Sequence, residues 1–370
     1  QVSARHAPRD VPRAAGRARC GGMIEPLGRD TAMRMAVAAA LTLIFSAHAA
    51  QAQSSADWDK IVAAAKAEGA VTLYTGLPGN PSNDKIAAAF EAKYAIRANV
   101  LGLRASELRE RIRTEYVAGR TLGDVSNTSP NQTRQFAEED GTVEAFGPLP
   151  SLGRIRPDIA ALWAARDVHV PIFGLYYAVL ANTRLAPDPP QTYADLTDSK
   201  WKGKILADDF RPTGGGHSFF STTYVAFGRG YHEKLYANSV TFTRDQRESE
   251  RRVARGEFAL YLPFLLTDYP SLQGLPVKAV VLAEGVSLTP YSAGLIKKAP
   301  HPNAARLLMD FMLSDEAQAI YAGQGLIPVV AGLNDKLPPV LQPFGNAKVL
   351  GTSAWENEAM TYKAANEIYK

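Results

Sequence analysis

Cysteine is almost missing from this chain of 370 residues: there is one, Cys20. A single thiol close to the start cannot form an internal disulfide framework. It also leaves no thiolate metal site or cysteine nucleophile further along. Long apolar runs are scarce too. After residue 52 no stretch approaches the roughly 20 apolar residues that a membrane-spanning helix needs. Signature motifs are lacking as well: no glycine-rich loop is followed by Gly-Lys-Ser or Gly-Lys-Thr, and there is no G-x-S-x-G and no H-E-x-x-H. The acids Asp208, Asp209 and Asp268 with His217 are a conceivable hydrolytic set, but no such pattern supports catalysis, so the chain is read as a non-enzyme with no cofactor and no resident metal.

An excess of one charge is also lacking once the start is set aside. Residues 1–52 hold seven arginines and three acids, which accounts for the whole formal charge of +4. The remainder is neutral, so the pI of about 9.0 gives no ground for a nucleic-acid partner. Residues 33–45 have a basic start and an apolar centre, and Ala50 and Ala52 supply the small residues of a cleavage site. These features predict a signal peptide over 33–52, preceded by a disordered upstream extension over 1–32. The expected mature chain is soluble, periplasmic and monomeric.

What is present is a globular composition, 46% hydrophobic and 21% charged, in a chain long enough for two lobes. Residues 57–69 carry an acidic start, an apolar face and a terminal glycine, which are helix signals. Residues 70–75 read as a strand, 80–83 as a turn, 84–94 as a helix and 96–101 as a strand. A helix over 106–119 places Glu107, Arg111 and Glu115 four residues apart, the pattern of a solvated, weakly paired face. A strand end at 124–128 and a helix over 131–140 follow. This alternation predicts an α/β fold with mixed, mostly parallel sheets. Ligands collect at the carboxyl ends of such strands. That places Thr75, Gly76, Leu77, Pro78, Arg104, Asn127, Thr128 and Ser129 on one rim, although each loop taken singly reads as a surface turn.

Val170 to Thr183 is an unbroken apolar and aromatic run ending in Asn-Thr, as a buried strand does. Beyond a second strand at 205–210, Arg211, Thr213, Gly214, Gly215, Gly216 and His217 form a glycine-rich loop feeding a helix over 221–227. Clustered N–H groups there suit an anion, and an unliganded flexible turn is the plain alternative. Arg247 and Gln246 open a charged amphipathic helix, and Phe264 follows the strand after it.

The segment Asp195 to Ile205, D-L-x-D-x-x-W-K-G-K-I, follows the long apolar strand. In kind and order this resembles the bacterial extracellular solute-binding proteins, the capture subunits of ABC importers, and most closely their ferric-ion-binding subgroup. The resemblance covers residues 57–330. It implies a two-lobed type II periplasmic binding fold with two crossing strands at the hinge, the returning one over 288–296. Lobe 1 would comprise 53–170 with 290–332, lobe 2 would comprise 171–289, and a C-terminal helical segment over 333–370 would pack on both. It also implies a permease in the inner membrane as partner.

The subgroup's iron ligands fall here on Pro78 or Gly79, Ser129, Phe264 and Leu265, none of which binds a hard ferric ion. An apolar wall with a few polar groups suits an organic ligand. Consecutive strand residues face opposite ways, so only one of Tyr176 and Tyr177 can line the cleft. Tyr177 and, on the returning strand, Tyr291 complete the expected site for a small organic anion.

Overall fold

The computed structural model describes residues 56–163 and 167–370. The expected upstream extension and signal peptide lie outside the described residues. Among those described, no helix is long and apolar enough to cross a membrane.

Helix α1 covers residues 56–68. Strand β1 (Ala70–Thr75), helix α2 (Pro81–Tyr94), strand β2 (Arg97–Gly102), helix α3 (Ala105–Val117), strand β3 (Val125–Thr128) and helix α4 (Pro130–Glu138) follow in alternation. The expected turn over 80–83 is instead the start of α2. Asn80 caps it by accepting from the Ser82 N–H at 3.0 Å, and Pro81 fits the first turn, where no N–H is needed. After a short strand β4 (Val143–Glu144) and helix α5 (Pro157–Leu162), strand β5 (Val170–Asn182) runs for 13 residues, every one buried. Asn182 ends it by folding back: its Nδ2 donates to Val253 O at 2.7 Å, and its Oδ1 accepts from Arg184 N and Leu185 N.

The D-L-x-D-x-x-W-K-G-K segment forms two short 3-10 turns. Asp195 accepts from the Gln191 and Thr192 N–H groups, and the Trp201 indole donates to Asp195 O at 3.0 Å. Strand β6 (Ile205–Asp208) follows, then helix α6 (Gly215–Ala237), strand β7 (Thr241–Thr243), helix α7 (Gln246–Arg255), strand β8 (Leu260–Leu265) and strand β9 (Val277–Val280). Strand β10 (Val286–Ile296) returns to helices α8 (Pro302–Phe311) and α9 (Asp315–Gly323) and strand β11 (Ile327–Pro328). The end of the chain holds strand β12 (Val349–Thr352) as well as helix α10 (Glu358–Ile368), so it is more than the helical segment expected.

The strands hydrogen-bond in the order β2-β1-β3-β10-β5-β8-β6-β7. β2, β1 and β3 are parallel, as are β8, β6 and β7, while the long strands β5 and β10 run antiparallel to each other between these two sets. The two alternating α/β halves therefore share a pair of crossing strands. Gly174 lets them approach: a Cβ there would lie 2.7 Å from Leu288 Cδ1.

One expected face is corrected. Glu115 is buried, not solvated, because it accepts from the Tyr74 hydroxyl at 2.7 Å and the Leu122 N–H at 2.9 Å, and it also pairs with Arg111. Burial and the bond to Glu115 push the Tyr74 phenol up to about 12.

Candidate functional site

β1 and β3 end in register, Thr75 beside Asn127, so the loops that follow share one rim. Thr75 Oγ1 accepts from Leu77 N at 3.2 Å, and Gly76 N donates to Asn127 O at 2.8 Å. Pro78 lies over Gly102, where a Cβ would come within 2.9 Å of Pro78 Cα. Thr128 donates its hydroxyl to Ser129 O. Ser129 caps α4 by accepting from Gln132 N at 3.4 Å. Asn127 is 1% exposed, and its Oδ1 has no hydrogen-bond partner. Arg104 stands exposed at the start of α3.

On the opposite rim the glycine run is helix rather than loop, since α6 begins at Gly215 and not near Ser221. The Gly216 N–H already donates to Asp208 Oδ2 at 2.8 Å, and a Cβ on Gly216 would overlap the Asp209 carbonyl. A Cβ on Gly215 would lie 2.9 Å from the Tyr177 hydroxyl. His217 is buried. Its Nδ1 is 2.9 Å from Phe210 O, its Nε2 is 3.3 Å from Thr361 Oγ1, and its ring stacks 3.7 Å from that of Tyr362. Burial lowers its pKa, so it serves as a neutral tie to the C-terminal segment. Thr213 joins the same tie, its Oγ1 lying 2.7 Å from the Tyr362 hydroxyl. Arg211 forks onto Asp209 at 2.8 and 2.9 Å and donates to Tyr369 O, so its charge is used within the fold.

Helix α7 begins next to α6, capped by Asp245, which accepts from Glu248 N at 2.9 Å. The starts of both helices open on one cavity of about 410 Å³, bounded by Asp208, Gly214, Gly215, Arg244, Gln246 and Arg247. A smaller cavity of about 70 Å³ lies beside it, bounded by Ser129 from the first rim, Thr213, Gly214 and His217 from the second, Thr289 of β10 and Tyr362 of α10.

The crossing strands supply the floor. Tyr177, Thr289 and Tyr291 occupy one face in register, and Tyr176 turns the other way, next to Arg156. Burial raises the Tyr177 phenol, with Tyr291, Asp208 and Asp268 adding in the same direction. Tyr291 stacks on Phe173 with ring centroids 5.1 Å apart, and burial raises it to about 12. Phe264 is fully enclosed and meets Tyr269 edge-on, so the structure puts it in the core rather than on the wall. Arg244 and the C-terminal residues at this site have no local sequence pattern to mark them, since only the fold brings them to the two rims.

Two rims of helix N-termini and strand ends, facing each other across a pair of crossing strands, define a two-lobed binding protein of the type II periplasmic class. The family profile described as bacterial extracellular solute-binding protein matches residues 71–327. The chain belongs to that family. Iron uptake protein A1 of Synechocystis sp. is 24% identical over 337 residues, covering 77% of this chain and 87% of that protein. An aconitate isomerase of a Pseudomonas species is 32% identical over 221 residues, 60% of this chain and 79% of the isomerase. A Trichodesmium protein solved with iron and citrate superposes with a TM-score of 0.69 at 21% identity, covering 81% of this chain and 99% of the other.

Proposed function

We propose that this protein captures a small organic anion by closing its two lobes, 53–170 with 290–332 and 171–289, about β5 and β10. It then delivers the anion from the periplasm to an ABC permease in the inner membrane. One observation carries this reading: the N-termini of α6 and α7 open on the same cavity, with Arg244 and Arg247 at its edge. A helix N-terminus favours an anion by about 0.3–1 kcal/mol, and more where partly buried. The nearby acids are already occupied, Asp208 by Gly216 N, Asp209 by Arg211 and Asp245 by the α7 cap. Among the described residues neither Arg244 nor Arg247 has an ion-pair partner within 4.0 Å, and a guanidinium grips two oxygens at once. Two of the relatives are named for, or were solved with, a small organic anion, aconitate in one case and citrate in the other.

Binding without turnover is part of the proposal, and so is a site that does not rely on ferric ion. By the family resemblance, the positions expected to carry iron ligands hold Pro78 or Gly79, Ser129, Phe264 and Leu265. A membrane sensor in place of the permease would use the same site. The test is a thermal-shift screen of carboxylates, phosphonates, sugars and amines, followed by calorimetry on Arg247→Ala. Anions are expected to raise the melting temperature, and the variant to bind about tenfold more weakly, as for loss of one charge-assisted contact. Stabilisation by neutral sugars alone would overturn the anion reading. A strong visible tyrosinate-to-iron band on ferric loading would overturn the iron-independent one, and interconversion of added aconitate isomers would overturn binding without turnover.

A further inference from the structure

The cavity assigned to the anion is bounded by one half of the fold only. Its lining residues fall within 208–215 and 244–247, the turns that lead into α6 and α7. A solute favours closure of the two halves only through contacts that it gains on both of them. It must therefore extend from this cavity towards α4, and the smaller cavity of about 70 Å³ is where it can do so. The two cavities share Thr213 and Gly214 at the start of α6. The smaller one is also bounded by Ser129 and Asn131 of the first rim and by Thr289 of β10.

On its far side the smaller cavity ends against helix α10. Ser129, Asn131, Thr213, Glu358 and Tyr362 bound both it and an outer cavity of about 620 Å³ between α4 and α10, so these residues form the partition. Tyr362 has the largest side chain of the five and is held at two points. Its ring stacks on that of His217 at 3.7 Å with the planes 5° apart, and its hydroxyl lies 2.7 Å from Thr213 Oγ1. A ring fixed in this way cannot swing aside without losing both contacts. The outer cavity gives an anion no reason to pass: Glu139 and Glu358 line it, and among the described residues no basic side chain does. Helix α10 lies outside the 71–327 segment that the family profile matches, so this wall does not follow from family membership.

We propose that Tyr362 is a specificity-determining residue, the end stop that fixes how long a chain the captured anion carries beyond its charged end. This rests on the anion reading above and deepens it. The charged end lies at the starts of α6 and α7, the chain passes Thr213 and Gly214 into the smaller cavity, and the Tyr362 ring stops it there. Each methylene that fits is removed from water, whereas the first that does not fit has to displace a packed ring. Affinity therefore holds or rises with chain length and then drops between two adjacent members of a homologous series.

The test is calorimetry with two homologous series, the straight-chain carboxylates from acetate to octanoate and the alkylphosphonates from methyl to hexyl. In the unmodified protein, affinity is expected to fall about tenfold or more at one added methylene, the discrimination that a single methylene gives in a closed pocket. Tyr362→Ala should move that step to longer chains, because the smaller cavity then opens into the outer one. Tyr362→Phe, which restores the ring, should return the step to its original place. A purely structural role for Tyr362 would weaken every member alike and leave the step where it was. Should Tyr362→Ala fail to fold, Tyr362→Leu keeps apolar packing on a shorter side chain and should shift the step in the same direction. If members of either series bind without such a step, or if the step stays in place in the shortened variant, the end stop is lost and the anion cavity remains. If no member of either series binds the unmodified protein, both are lost.

Discussion

His232 is held neutral at the centre of an aromatic cluster in the second α/β half. Its ring nitrogens lie 2.8 Å from the Tyr369 hydroxyl and 3.1 Å from Thr223 Oγ1, and Phe220 packs 4.4 Å from the ring. Burial lowers its pKa to about 3 from an ordinary 6.5. The folded state therefore binds the proton more weakly than the unfolded chain, so stability present above pH 6.5 declines as pH falls and is fully lost only near pH 3. Thermal melts at pH 7, 5 and 4 should show this decline, and His232→Gln, although less stable at pH 7, should flatten the slope. An unaltered slope in the variant would place the acid sensitivity elsewhere. Residues of this kind are poorly legible in a sequence. His232 has its decisive partner 137 positions away, and Glu115, whose four-residue spacing with Arg111 looks the same exposed or buried, is set by Tyr74.

At the scale of elements, β5 was legible because burial on both faces demands an unbroken apolar run, and such a run has few other uses. The start of α6 was not. Three successive glycines have low helix propensity and read as a loop, yet the Tyr177 hydroxyl and the Asp209 carbonyl leave no room for a side chain at Gly215 and Gly216. Packing against a distant strand thus overrides local preference. Helix α10 is a comparable case. It buries Ala364, Ala365, Ile368 and Tyr369 in the same core as Phe210, Phe219 and Phe220 of the α6 region. Deleting residues 354–370 uncovers that aromatic face and removes several buried side chains, each worth about 1.5–3 kcal/mol. The truncated protein is expected to melt at least about 10 °C lower and to bind the hydrophobic dye ANS, as followed by calorimetry and dye fluorescence. Unchanged melting would mean that α10 adds nothing to the core.

For the whole molecule, the strand order puts β5 and β10 in the middle of one sheet with parallel strands on each side. Bending of these two strands would accommodate the proposed closure of the cleft, because the flanking α/β units could then move as rigid bodies. A bound anion should lower the radius of gyration measured by small-angle X-ray scattering, with no change in molecular mass. Gly174→Val, which drives a side chain into Leu288 between the crossing strands, should destabilise the protein by about 1–3 kcal/mol and blunt the compaction. If scattering is identical with and without a ligand that calorimetry proves bound, hinge closure is excluded.

The end of the chain also touches both sides of that hinge. Trp355 lies under the Arg134 guanidinium of α4 at 5.7 Å, Glu356 pairs with the same arginine, and a few residues later Tyr362 stacks on His217 of α6. The indole is thus fixed against one half by a cation while the helix that follows it, α10, is anchored in the other. Any relative rotation changes the distance between the ring and the positive charge, and with it the colour of the indole's emission. The chain has four tryptophans, so replacing Trp58, Trp163 and Trp201 by phenylalanine leaves Trp355 as an internal optical gauge of lobe position that needs no added label.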